Sequence, residues 1–110
     1  MLNQNGVRKI VVLPEVLKAL SDETRYKLVV LLINHDYCVR ALANRLGISE
    51  SAVSQHLKIL KTAGIVKGEK RSYFTHYCVD REIIKKTADQ MISLAETPRK
   101  KVKCCKCKGE

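Results

Sequence analysis

The chain has 110 residues, with 21 lysines and arginines against 11 aspartates and glutamates, for a net charge of +10. That length allows one domain with a modest core, and one phenylalanine with no tryptophan makes the core aliphatic. The charge calls for a polyanionic partner. No apolar run approaches the ~18 residues of a membrane span, and no paired carboxylates, nucleophile elbow or phosphate loop supports an enzyme.

The charge is unevenly placed: residues 98–110 carry six basic residues and one acid, half of the net charge. The first six residues lack the charged-then-apolar order of a signal peptide. The expected location is therefore cytoplasmic, where Cys38, Cys78, Cys104, Cys105 and Cys107 stay mainly reduced. Two parts are expected, a folded domain over 1–97 and a basic, cysteine-containing tail over 98–110.

Residues 1–12 read as a frayed arm. Pro14 suits the first turn of a helix running to about Leu20. Ser21-Asp22 interrupts it and can cap a second helix, whose first turn carries Glu23. Leu28, Leu31 and Leu32, flanked by Val29, Val30 and Ile33, make that helix apolar nearly all round, as for a central buried helix ending near Asn34-His35. Val39 to Leu46 is a third, short helix with Ala41, Leu42 and Leu46 inward. Gly47 suits its left-handed cap.

Ser49 then caps a fourth helix, with Ile48 and Val53 at the positions of a hydrophobic staple. Val53, Leu57 and Leu60 share its inner face, and Gly64 stops it. Ile65-Val66-Lys67 reads as a strand, Gly68-Glu69-Lys70-Arg71 as a polar turn, and Ser72 to Val79 as the return strand. Asp80 caps a fifth helix to about Thr97, closed by Pro98. Its stripe Ile84, Ala88, Met91 and Ala95, with Ile83 and Ile92 beside it, suits both a domain face and a partner subunit.

Two short helices joined at Gly47 and recapped at Ser49 form a helix-turn-helix, whose second helix lies in the major groove. Opposite its apolar face lie Glu50, Ser51, Ser54, Gln55, Lys58 and Lys61. Serine and glutamine can bond base edges, and lysine neutralises phosphate. The basic turn of Lys67, Lys70 and Arg71 is expected at the tip of the hairpin that follows, a wing able to reach the minor groove or backbone. The DNA-contacting set expected is Ser51, Ser54, Gln55, Lys58, Lys61, Lys70 and Arg71. A polar helix face alone means only solvation; the ordered set of cap, turn, polar face and basic hairpin means more. His56, His35 and His76 read as structural.

These residues also carry a resemblance. Ala19-Leu20-Ser21-Asp22-Glu23-Thr24-Arg25, followed by Leu28, resembles the ALSDPTRLRIL opening of the ArsR/SmtB family of prokaryotic metal-responsive repressors. Leu42 to Ser49 and Val53 to Val66 resemble its recognition unit, so the likeness spans about residues 14–80. It implies a mainly α winged helix-turn-helix with a small β-hairpin wing, homodimeric through its terminal helices. It further implies a repressor of double-stranded operator DNA, released by an inducer.

Family inducer sites can be compared position by position. A motif resembling ELCVCDL stands here as Asp36-Tyr37-Cys38-Val39-Arg40-Ala41-Leu42, with Arg40 in place of the second cysteine. The Asp/His zinc site of the dimer helices has no match, because the fifth helix contains no histidine. Cys104, Cys105 and Cys107 remain: three thiols within four residues, among lysines that favour thiolate. They resemble the arsenite sites of some members and suit As(III) or Sb(III). Cys38 as a fourth donor would suit cadmium, lead or zinc better. Cys78 reads as a small buried hydrophobe. DNA binding itself needs no cofactor. The competing functions are a thiol redox or persulfide-responsive repressor of the same fold, and a non-inducible architectural DNA-binding protein.

Overall fold

Local capping signals set most of the helix boundaries in the computed structural model, which describes residues 13–100. The elements are α1 (Leu13–Leu20), α2 (Glu23–Asn34), β1 (Tyr37–Cys38), α3 (Val39–Leu46), α4 (Glu50–Thr62), β2 (Val66–Arg71), β3 (Phe74–Val79) and α5 (Arg81–Ala95). The expected arm over 1–12 lies outside the described residues.

Asp22 caps α2 by accepting a hydrogen bond from the Arg25 backbone N–H at 3.0 Å. That bond favours the carboxylate and holds Asp22 below its ordinary pKa. Gly47 ends α3 at φ 69°, a left-handed conformation that side-chain-bearing residues adopt only with strain. Ser49 Oγ accepts from the Ala52 N–H at 3.1 Å and opens α4. Asp80 does the same for α5 through the Glu82 N–H.

Leu28, Leu42, Val53, Leu57, Leu60 and Ile65 make the centre of the core, with Val16 and Ala19 contributed by α1 and Ile83 by α5. The polar side of α4 is left in water because its apolar side is consumed here.

Four expectations change. Helix α2 buries Leu28, Val29 and Leu32 and packs half-buried Leu31 and Ile33 against the core, whereas Val30 is exposed. In α3, Ala43 joins Leu42 in the core, and Ala41 and Leu46 are half-buried. The strand β1 was not foreseen. It pairs antiparallel with β3, Tyr37 opposite Tyr77 and Cys38 opposite His76, giving the sheet order β1-β3-β2. The supposed turn at 68–71 is strand: Gly68 pairs with Tyr77, Glu69 with His76, Lys70 with Thr75 and Arg71 with Phe74. Pairing with β3 satisfies the inward backbone groups of this edge strand, and its polar side chains face water. The actual turn is Ser72-Tyr73, with Ser72 at φ 60°.

The fifth helix splits into two halves. Ile83 and Thr87 are buried, and Thr87 Oγ1 donates to the Ile83 carbonyl at 2.7 Å. From Ala88 onward every residue is exposed, including Met91, Ile92 and Leu94. Of the expected stripe, only Ile84 packs against the core. Among the described residues, no helix is long and apolar enough to cross a membrane.

Candidate nucleic-acid interface

The outward face of α4 is built as the sequence implies. Glu50, Ser51, Ser54, Gln55, Lys58 and Lys61 are all exposed, while Val53, Leu57 and Leu60 anchor the opposite face. Glu50, the one acidic residue of the helix, lies 3.7 Å from Arg40 of α3, which offsets its charge. Among the described residues, Lys58, Lys61 and Lys70 form no ion pair. The surface therefore combines uncompensated ammonium groups with short polar side chains, as groove binding requires.

The wing adjoins this helix. Ser54, Leu57, Lys58, Lys61 and Thr62 share one groove with Tyr77 of β3. Tyr77 lies across the backbone at Gly68, where an added Cβ would sit 3.0 Å from its ring and 3.0 Å from Thr75 Cγ2. That spacing is tighter than most Cβ contacts, so a side chain at position 68 would require the Tyr77 ring and Thr75 to give by a few tenths of an ångström.

Lys70 and Arg71 do not sit at the hairpin tip as expected, because they are strand and the turn falls at Ser72-Tyr73. Arg71 Nη2 donates to Asp36 and, at 2.9 Å, to Glu69. Hydrogen bonding to Glu69 and then to Asp36 raises the guanidinium pKa above its already high ordinary value. Arg71 thus ties the end of β2 to the residue preceding β1. Tyr73 occupies the tip instead.

The histidines are structural where they can be placed. His56 Nδ1 lies 3.3 Å from Arg25 Nη1. The same guanidinium donates to the Ala19 carbonyl at 2.7 Å, so Arg25 clamps α1 to α4. His35 meets Tyr37 edge-on, and the Arg45 guanidinium lies over the same ring, 4.7 Å from its centroid. His76 Nδ1 is buried without a hydrogen-bond partner.

Cys38 caps α3 without a side-chain hydrogen bond, and both Cys38 and Cys78 are half-buried free thiols. Cys78 is less enclosed than expected. Among the described residues, no three histidine, cysteine, aspartate or glutamate side chains gather closely enough to hold a metal ion. Cys104, Cys105 and Cys107 lie outside the described residues. Asp36, Tyr73 and Tyr77 were missed as parts of this surface: only the hairpin register brings them to it.

Residues 22–67 match the family described as "Bacterial regulatory protein, arsR family". A cadmium resistance transcriptional regulatory protein CadC homolog from Staphylococcus aureus is 38% identical over 77 residues, 69% of this chain and 64% of that protein. The chain therefore spans less than two thirds of that relative's length. The transcriptional repressor SdpR of Bacillus subtilis is 31% identical over 78 residues, 71% of this chain and 87% of the repressor. The solved structure of an ArsR-like transcriptional regulator from Rhodococcus sp. RHA1 superposes with a TM-score of 0.72 at 32% identity, covering 76% of this chain and 78% of that one. With its capped helix-turn-helix and three-stranded wing sheet, the chain belongs to the arsR family of bacterial transcriptional regulators.

Proposed function

We propose that the protein is a homodimeric repressor that occupies operator DNA through α4 and the wing and leaves it when a thiophilic ion binds. The observation that carries the DNA-binding part is the exposed Ser51, Ser54, Gln55, Lys58, Lys61 face of α4, continuous with the wing groove. Ser54 and Gln55 read base edges, while Lys58, Lys61 and Lys70 neutralise phosphate. Arg71 belongs to the same surface, with its charge shared by Asp36 and Glu69. Dimerisation is supported by apolar surface on both terminal helices: Leu17 of α1 and Met91, Ile92 and Leu94 of α5 are exposed.

The inducer reading rests on sequence chemistry and on the cadmium-resistance relative. Cys38 and Cys78 do not make a three-donor site among the described residues. Cys104, Cys105 and Cys107 supply three sulfurs, the number that trivalent arsenic or antimony takes in a pyramid. A fourth sulfur from Cys38 would shift preference toward cadmium, lead or zinc.

The test uses a duplex enriched by the wild-type chain from a random library. Gln55→Ala should cost roughly 1–3 kcal/mol on that duplex and far less on random DNA. Lys58→Ala should weaken both and flatten the salt dependence by about one unit of slope. Arsenite, antimonite, cadmium, lead and zinc are then titrated into the complex. Replacing any one of Cys104, Cys105 and Cys107 with serine should abolish release and leave DNA affinity intact. A triple serine variant that still releases DNA at wild-type concentrations overturns the tail assignment. Equal losses on both DNAs for Gln55→Ala overturn the recognition-helix assignment.

A further inference from the structure

The tip of the wing is aromatic, not basic. Tyr73 is 91% exposed and Phe74 beside it 53% exposed. The two-residue turn that lifts Tyr73 into water holds Ser72 at φ 60°, a conformation costly for a residue with a Cβ. Arg71, at the base of the turn, is occupied by Asp36 and Glu69. Its charge is met within the protein, so the foremost surface of the hairpin is ring, not cation. The hairpin is continuous with α4 through the groove that Tyr77 shares with Ser54, Lys58 and Lys61.

We infer that Tyr73 is a specificity-determining DNA contact, its ring entering the minor groove that flanks the site read by α4. This rests on the DNA-binding reading above. With α4 in a major groove, the exposed end of the adjoining hairpin meets the neighbouring minor groove, about 6 Å wide, which admits a ring edge-on. Apolar side chains in that groove part adjacent base pairs and bend the duplex, most readily at pyrimidine–purine steps such as TA and CA. Tyr73 therefore favours sites whose flanks carry such deformable steps. Because the contact is apolar, it contributes affinity without releasing counterions.

The experiment measures binding of the wild type, Tyr73→Ala and Tyr73→Phe to the library-selected duplex by fluorescence anisotropy at several salt concentrations. Tyr73→Ala should weaken binding about tenfold, the scale of one lost aromatic–base contact, with an unchanged salt slope. Tyr73→Phe should keep wild-type affinity. A second arm needs no variant: replacing flanking adenines with 2,6-diaminopurine adds an amino group to the minor-groove floor and leaves the major-groove edge unchanged. It should weaken the wild type several-fold and leave Tyr73→Ala unmoved. Equal affinity for Tyr73→Ala and the wild type overturns the inference alone, as does a wild type indifferent to diaminopurine. A Tyr73→Ala protein that changes its oligomeric state also overturns it, by assigning the tip to a second copy. A wild type that enriches no duplex overturns the DNA-binding reading and this inference with it.

Discussion

The helix-turn-helix and the wing lie side by side on one surface and are held in place by different interactions. Helices α3 and α4 are fixed locally and from beneath: Gly47 and Ser49 set their ends within a few residues, and Leu42, Val53, Leu57 and Leu60 are fully buried. The wing has one buried residue in β2, Val66, meets the margin of the core through half-buried Tyr77 and Val79 of β3, and is otherwise ordered by strand pairing and by polar ties such as Arg71 to Asp36. On the proposed reading, a helix anchored by a core presents a fixed face to the bases, whereas a strand-paired wing follows the shape of the duplex. Base reading suits the first and shape reading the second.

Three substitutions would break or sharpen this contrast. Leu57→Ala removes a core side chain directly beneath the reading face, and a large-to-small change at such a site costs about 3 kcal/mol. Thermal denaturation should show a large drop in Tm, and DNA affinity near the new transition should fall with it. Ser49→Ala removes the hydrogen bond to the Ala52 N–H and should cost about 1 kcal/mol. Its effect should appear as faster amide exchange in the first turn of α4, with the wing amides unchanged. Ser72→Gly should be the mildest. It relieves the positive φ at the tip but enlarges the freedom of the unfolded chain, for a net change of roughly 0.5 kcal/mol or less. If Ser72→Gly shifts Tm as far as Leu57→Ala does, the wing is held by the core after all and the contrast fails.

The same contrast explains what could be read from the chain. Asp22, Gly47, Ser49 and Asp80 act on backbone groups within three or four residues of themselves, so the helix boundaries they set were visible in sequence. The polar face of α4 was visible because helical spacing alone separates Ser54, Gln55, Lys58 and Lys61 from Val53, Leu57 and Leu60. The wing turn was misplaced, with β2 running four residues further than expected, because a polar Gly-Glu-Lys-Arg run resembles a loop until its pairing partners are known. Strand β1 has two residues and no periodicity to detect. Arg71 finds Asp36 35 positions away, and Arg25 finds His56 31 positions away; nothing local announces either contact. Along α5 the apolar stripe was legible, but the chain by itself covers only its first half.

Gly68 gives the wing an unusual dependence on a side chain that is not there. The ring of Tyr77 lies in tight contact with the place of a methyl group at position 68, and that ring lines the groove beside α4. The smallest substitution, to alanine, would shift the Tyr77 ring by a few tenths of an ångström and with it one wall of the groove that the proposed function assigns to DNA. On the proposed reading, DNA preference can in this way be altered from a position with no side chain of its own, and the sequence freedom of the wing is narrower than its exposed, polar composition suggests.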